Sequence, residues 1–403
     1  MLPFTDALTF RWLGIPVKVY EIASALILGL IFIKYELTRK VKLEFPLPLL
    51  VFVLWGVAAT LIASLYPELY KYGYLWGGRD NVLVSMTTRI MYAFYFVFAF
   101  SLFTYILDKY GIRKVLKIFL VSAMIVTVYH AFNFFTSLFA EKVFLLPNSS
   151  EQYVNLPFGR TLRNGVFHEG NYVGLYYLFA IMFSEYYAQK YLRLTRLKYL
   201  FIFGLIITFS TINYLGLILF YAIKLYQSGK RFKLFRMVVM AALIVMFVPP
   251  FNGIILKKIV GVNQPENYSR NERLRNVAVA VQIFEKKPLT GIGLGNYGYY
   301  FPYYSKLGLK GKVVPGNVYA SIIAETGIFG IMLFLFFIYY CFSNIKKIRD
   351  EAARIHFYAG LVSILFVYNA FPSYEITFLN LYFALICRYH RIEQGNNEKH
   401  IIL

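Results

Sequence analysis

Residues 317–342 read NVYASIIAETGIFGIMLFLFFIYYCF, an apolar run interrupted by a single charged side chain, Glu325. The run is longer than the roughly 20 helical residues needed to cross about 30 Å of hydrocarbon. Its apolar positions are continuous and do not alternate, so a helix, not a barrel strand, is the form that satisfies its backbone in lipid. Similar runs recur on both sides. The sequence predicts spans near Val17–Ile33, Pro46–Tyr66, Arg89–Leu107, Val115–Leu138, Asn171–Tyr187, Lys198–Thr208, Asn213–Leu225, Met237–Leu256, Asn317–Phe342, Ala353–Phe371 and Ile376–Arg388. Ser210-Thr211-Ile212 either separates two short helices or kinks one. The expected fold is an all-α integral membrane protein. It is a single membrane domain over residues 1–403, a polytopic bundle of about 11–12 transmembrane helices.

Composition agrees. Of the 403 residues 59% are hydrophobic, whereas a soluble chain of this size would divide into domains with polar surfaces. The net charge of +22 raises nucleic-acid binding as a class, and its placement argues against it. Much of it sits in short clusters between apolar runs: Arg39, Lys40 and Lys42; Arg113, Lys114 and Lys117; Arg193 to Lys198; Lys230, Arg231, Lys233 and Arg236; Lys346, Lys347 and Arg349. That is the pattern of cytoplasmic loops. Cys341 and Cys387 lack metal-ligand spacing, so neither zinc nor a disulfide is expected. The first run follows no basic region and no small-residue cleavage site, and reads as a retained anchor, not a signal peptide.

A chain that starts outside and ends inside puts every one of these clusters on one face. The same assignment exposes Pro67–Thr88, Phe139–Gly170 and Lys257–Gly316 on the other. The two longer outer loops are themselves basic, through Arg160, Arg163, Lys257, Lys258, Arg270, Arg273 and Arg275. Long loops translocate regardless of charge; alternatively, these cations serve an anionic ligand.

In the longer loop, Ser269 and Glu272 have capping-box spacing. Leu274, Val277, Val281 and Phe284 follow at helical intervals, and Lys286-Lys287-Pro288 marks the stop. Arg270 and Arg273 then fall in a first turn whose dipole is already positive. With Arg275 they form an anion site suited to phosphate oxygens, or a basic face against lipid headgroups. Gly291-Ile-Gly293-Leu-Gly295 has no preceding strand and reads as a tight turn, not a dinucleotide loop. Tyr297, Tyr299, Tyr300, Tyr303 and Tyr304 are either a sugar-stacking group or an interfacial belt. In the shorter loop, Arg160, Arg163, His168, Glu169 and Asn171 precede a helix. His168 beside Glu169 is a candidate proton-transfer pair, although a loop histidine is more often an ordinary polar residue. Arg89, at the outer end of its helix, either snorkels to headgroups or joins the anion site. Glu325, inside an apolar helix, is a functional candidate or a helix–helix hydrogen bond.

The order of these features resembles the O-antigen ligase and O-antigen polymerase superfamily. The resemblance is carried by Arg273, by Pro288-Leu-Thr-Gly-Ile-Gly-Leu-Gly-Asn296-Tyr, by Gly316-Asn317, and by Glu325-Thr-Gly327-Ile-Phe-Gly330. Arg163, followed after ten residues by Gly174, matches a polymerase pattern. The resemblance implies a GT-C-like membrane fold with a long extracytoplasmic loop containing helices, and an inverting, metal-independent glycosyltransferase without a cofactor. The implied donor is a glycan on undecaprenyl diphosphate, presented at the periplasmic face of a bacterial inner membrane. Acceptors would be a second glycan, for a polymerase, or lipid A-core or protein, for a ligase. A chain-length regulator and membrane lipids are further implied partners, and nucleic acid is not. By the same carry-over Arg163 and Arg273 hold the diphosphate, and His168 or Glu169 would substitute for the missing family histidine, making these four the catalytic candidates. Arg160, Arg270, Arg275, Arg89, Asn171, Asn317, Tyr303 and Glu325 bind substrate. Gly316 stands where ligases carry a histidine, which favours polymerase. A transporter is the reading from another class. It is supported by Glu325 and the Pro249-Pro250 break, and weakened by the lack of an internal repeat.

Overall fold

A computed structural model describes residues 9–12, 15–18, 22–23, 26–27, 29–30, 33–34, 44–74, 79–146, 150–156, 159–191, 196–229, 232, 236, 268–305, 315–371, 373–374 and 376–401. Among these, the chain is almost wholly helical. Two antiparallel hairpins are the exceptions: β1 (Thr9–Trp12) with β2 (Ile15–Lys18), and β3 (Tyr153–Leu156) with β4 (Gly159–Leu162). The helices are α1 (Leu47–Ala63), α2 (Pro67–Tyr74), α3 (Arg79–Ala140), α4 (Gly170–Tyr191), α5 (Leu197–Ile206), α6 (Thr211–Gln227), α7 (Tyr268–Lys286), α8 (Tyr297–Ser305), α9 (Val318–Lys346), α10 (Glu351–Val367) and α11 (Thr377–Ile401). The span expected over Met237–Leu256 lies outside the described residues; of Val17–Ile33, the first two positions belong to β2, and the described positions from residue 22 onward are helical.

Two of these helices are long and apolar enough to cross a membrane: residues Val82–Ala140 within α3, and α9. Gly111 (φ +75°) breaks α3 into two arms, each long enough to span. The shorter α1 and α5 are also apolar.

The chain divides into two compact units. The first comprises Met1–Leu37, Leu107–Glu266 and Arg349–Val367. Its centre is α4, in which Val173 and every residue from Leu175 to Phe183 are buried, so that it is apolar all round, as a central helix must be. Close approach to α4 uses glycines. A Cβ on Gly204 of α5 would lie 2.9 Å from the Tyr177 ring, and one on Gly216 of α6 would meet Leu178 and the α10 side chains of Val367 and Ser363. Ser363 fixes this packing by donating to the Gly216 carbonyl at 2.6 Å. Toward the C-terminal end of α4, Glu185 receives Lys224 at 2.7 Å and Lys198 at 3.5 Å, and Lys190 pairs with Asp350 at 3.1 Å.

The second unit comprises Thr38–Ile106, Asn267–Ile348 and Tyr368–Leu403. Here α9 packs against α1, α7 and α11. Phe52, Phe334 and Tyr374 interlock with ring centroids 5.5–6.1 Å apart. Ahead of α1, Glu44 accepts from Arg388 at 2.6 Å and from Arg391 at 2.7 Å. Partial burial works against the Glu44 charge, but the two guanidinium groups outweigh it and hold the carboxyl below its ordinary value of 4.5. The folded-state value is depressed, so this contribution is present above pH 4.5 and is lost as pH falls through the lowered value. We expect thermal stability in detergent to decline over that acid range, and to decline less in Glu44→Gln. Equal acid sensitivity of the two proteins would remove Glu44 as a cause.

Candidate functional site

In the first unit, β3 and β4 pair with Tyr153 opposite Leu162 and Leu156 opposite Gly159, and they deliver the chain into a buried loop. Thr161, Leu162, Asn164, Val166 and Phe167 are all buried. A loop withdrawn from water must satisfy its own polar groups. Asn164 does much of this: its amide donates to the carbonyls of Ser150 and Phe167 at 2.8 and 2.6 Å, and its oxygen accepts from the Gln152 backbone at 3.1 Å. The Arg163 backbone N–H donates to the Gln152 carbonyl at 2.9 Å. The Arg163 side chain lies against Gly170, the first residue of α4, where an added Cβ would stand 2.8 Å from Nη2 and 3.0 Å from Cζ. A guanidinium against the N-terminal turn of a 22-residue helix concentrates positive potential at one point.

The same end of α4 meets the break between α5 and α6. Phe209 there takes φ +50°, unusual for a side chain of that bulk. Asn171 accepts from Ser210 Oγ at 2.9 Å, while Asn213 donates to the Asn171 carbonyl at 3.0 Å and to Ser210 Oγ at 2.7 Å. Asn213 Oδ1 is buried with no hydrogen-bond partner among the described residues. Tyr214, one position on, is near enough to Arg163 to feel its charge. Arg160 is placed differently from Arg163: exposed on β4, its guanidinium covers the Tyr153 ring at 4.0 Å. His168 is exposed, and among the described residues its ring makes no hydrogen bond to Glu169. Their backbones are employed, the His168 carbonyl accepting from Ser150 Oγ at 2.7 Å and the Glu169 carbonyl from the Tyr172 N–H at 3.1 Å.

In the second unit the glycine-rich stretch is a turn, as its spacing suggests. Gly291, Gly293 and Gly295 adopt φ of +64°, +81° and +72°. This turn docks, backbone to backbone, on a break in α9 at Gly327, whose φ is +66° and ψ −163°. The carbonyls released by the break are taken up: Ala324 by Ile292 N–H at 3.1 Å, Glu325 by Gly293 N–H at 2.8 Å, and Thr326 by the Trp55 indole at 2.9 Å. Ile328 N–H in turn reaches the Pro288 carbonyl at 2.8 Å. On the other side of the turn, Leu294 N–H donates to Thr60 Oγ1 of α1 at 2.9 Å. The two glycine motifs are thus halves of one scaffold.

That scaffold presents Arg89 and Arg273. The Arg89 stem passes directly over Gly295, and the Arg273 stem lies 3.1 Å from where a Cβ on Gly316 would stand. Arg89 is not at a helix end, because α3 begins at Arg79 and places it nearly three turns inside. Asn317 caps α9, accepting from Ala320 N–H at 3.0 Å and donating to the Asn369 carbonyl at 3.1 Å. Glu325 is nearly buried and close enough to Tyr297 to raise the cost of ionising that phenol, beyond the burial that dominates it. Tyr297, Tyr299 and Tyr300 are core residues packed with Val279, Ile283 and Ala320 and are neither a stacking platform nor a belt; Tyr303 alone of the group is well exposed, at 38%. Arg275 is exposed, and the Arg270 side chain and the capping-box serine lie outside the described side chains. Helix α7 starts one residue before that serine.

Residues 197–335 match the family model described as O-antigen ligase. The match supports membership of the O-antigen ligase and polymerase family. It covers about a third of the chain and includes the α5–α6 break, Arg273, and both halves of the glycine scaffold. No curated protein matches the chain. The family match points to an O-antigen ligase or polymerase type of function. The sequence reading missed His130, Gln152 and Asn164, which the structure brings to the loop that carries Arg163, and Asn213, which it brings to Asn171. The one available signal was a lone histidine inside the apolar run 115–138.

Proposed function

We propose that the protein polymerises lipid-linked oligosaccharide repeats such as O-antigen, taking the growing glycan from undecaprenyl diphosphate at the periplasmic face of a bacterial inner membrane. An acceptor hydroxyl attacks the anomeric carbon from the face opposite the diphosphate. The bond from that carbon to the phosphate oxygen breaks, and its electron pair leaves with the diphosphate. Arg163 neutralises the charge that develops there, a role the family resemblance also gives Arg273, and Glu169 or His168 receives the hydroxyl proton. Arg160 and Asn171 would bind substrate beside Arg163, and Arg89, Arg270, Arg275, Asn317, Tyr303 and Glu325 beside Arg273. The observation that carries the reading is the Arg163 guanidinium laid on the first turn of α4, at the end remote from the Lys190, Lys198 and Lys224 cluster. Gly316, in place of the histidine that ligases carry, favours polymerase over ligase. The description of the matched family favours ligase as the second reading.

The test supplies purified, reconstituted protein with undecaprenyl-diphosphate-linked repeats and no second acceptor. Chain growth with release of free carrier diphosphate is the expected result. Growth only after lipid A-core is added would establish the ligase instead. Carrier movement across vesicles without bond formation would replace both with transport. Arg273→Ala and Arg163→Ala, inserted normally, should each lose chain growth.

A further inference from the structure

Ser210 stands at the N-cap of α6, yet its side chain does not cap the helix. An N-cap serine ordinarily turns its hydroxyl oxygen on a backbone N–H of the first helical turn. Here the Ser210 carbonyl receives the Asn213 and Tyr214 N–H groups, each at 3.1 Å, and the hydroxyl is directed elsewhere. Asn213, three residues on, is equally unusual. It is fully buried and uses its amide nitrogen twice, but its Oδ1 has no hydrogen-bond partner among the described residues. A buried acceptor left open is destabilising. Two neighbouring side chains that both forgo a stabilising bond are placed for another end.

That end follows from the direction of each hydrogen. The Asn171 carbonyl can only accept, so the Asn213 group 3.0 Å from it is the amide nitrogen. The same nitrogen donates to Ser210 Oγ at 2.7 Å. Ser210 has one hydroxyl proton and passes it to Asn171 Oδ1 at 2.9 Å. The chain of bonds thus runs from α6 to the first turn of α4 and holds the Asn171 amide by its oxygen. The nitrogen of that amide makes no hydrogen bond among the described residues and, on a half-buried residue, keeps some exposed surface. Gly174 makes room for the arrangement, since a Cβ there would stand 2.6 Å from Asn213 Nδ2 and 3.1 Å from Ser210 Cβ. It is the glycine that follows Arg163 after ten residues. Asn171 itself directly follows Gly170, against which the Arg163 guanidinium lies. A guanidinium, a helix start and an amide nitrogen with two hydrogens are all donors, the complement of an anion.

We propose that Ser210, itself held by Asn213, is a positioning residue that locks the Asn171 amide so that its N–H groups donate to the carrier diphosphate. The inference rests on the proposed role of Arg163 toward that diphosphate. Binding of glycan-free undecaprenyl diphosphate, measured beside transfer kinetics, tests it. Ser210→Ala releases the amide at little structural cost, because the hydroxyl caps nothing. We expect about 10-fold weaker binding of undecaprenyl diphosphate and a matching rise in KM for the lipid-linked donor, with kcat and melting in detergent nearly unchanged. Asn171→Ala removes the amide itself and should weaken binding by about 10- to 100-fold, and Ser210→Ala should add little to it. Wild-type binding in Ser210→Ala overturns the proposal, as does an equal further loss in the Asn171→Ala background. Early melting of Ser210→Ala overturns it too, because the serine would then be structural. So does a raised donor KM with unchanged binding of the glycan-free carrier, which would put the amide on the sugar. If the unsubstituted protein binds no undecaprenyl diphosphate, or Arg163→Ala transfers glycan undiminished, the functional reading itself falls, so the two failures are distinguishable.

Discussion

Replacing Gly327 by alanine is expected to abolish recovery of folded protein. The position combines two separate penalties. Its φ of +66° with ψ of −163° is a conformation essentially confined to glycine, costing an L side chain about 1–3 kcal/mol. A Cβ there would also enter the Leu289 carbonyl and approach the Pro288 carbonyl to 2.8 Å, and these are backbone atoms that cannot rotate away. Relief requires the glycine turn to lift off α9. That breaks the hydrogen bonds from Ile292, Gly293 and Ile328, and leaves buried carbonyls unsatisfied at about 1–3 kcal/mol each. The sum is about 4–12 kcal/mol, on the scale of the whole stability of an ordinary domain. Gly291→Ala should behave alike, since its Cβ would lie 2.5–2.6 Å from the α9 backbone at Ala324–Thr326. Gly111→Ala is the control: its φ of +75° and ψ of 155° fall in the same glycine-favouring region, but nothing lies within 4 Å of its Cβ, so only the backbone strain of about 1–3 kcal/mol is at stake. Size-exclusion profiles and melting curves in detergent decide it. A Gly327→Ala protein as stable as Gly111→Ala would mean the docked turn contributes nothing to stability.

This scaffold shows what a sequence of this kind discloses. Apolar runs were legible as helices because lipid permits few other backbone solutions, and a tight turn was legible from three alternating glycines. That the turn inserts into a helix break was not. The partners, Gly293 and Glu325, are 32 positions apart, and nothing in either motif names the other. The start of α3 was missed because residues 79–88 carry Arg79, Asp80, Asn81 and two threonines, which depress hydropathy without preventing a helix. The tyrosines of α8 illustrate the opposite ambiguity. An amphipathic ring suits an interface and a core equally, and only Val279, Ile283 and Ala320 around them settle the matter.

At the candidate site the arginines stood out because they sit where charge is unfavourable or unexpected. Their supports did not. Gln152 and Asn164, which hold the Arg163 loop, are ordinary polar residues until that loop closes around them and joins positions a dozen or more apart. Arg163 could be picked out from the sequence as a charge. Its fixed position could not, because that depends on the missing side chain at Gly170 as much as on any residue present.

Gly170→Ala should therefore silence the enzyme without weakening the protein. The added methyl would occupy space now filled by the Arg163 guanidinium, 2.8 Å from Nη2 and 3.0 Å from Cζ. A long side chain can swing clear at small energetic cost, so the fold tolerates the change. Alanine is also the better helix former, and any effect on stability should be neutral or favourable by up to about 1 kcal/mol. The charge, however, is displaced by an ångström or more from the start of α4, and misplacement on that scale costs about 100-fold in rate. Arg163→Ala removes the charge altogether and should lose about 100- to 1000-fold in glycan transfer. Combining the two should cost no more than Arg163→Ala alone, because the methyl has then nothing left to displace. Initial rates with undecaprenyl-diphosphate-linked repeats, measured beside melting temperatures of the same preparations, separate the alternatives. If Gly170→Ala keeps wild-type rates, a guanidinium held against the first turn of α4 is not what stabilises the leaving diphosphate. If it melts early, the glycine is there for packing and the positional argument fails. Only the pairing of intact stability with lost transfer fits an arginine whose location, and not merely its presence, is the catalytic requirement.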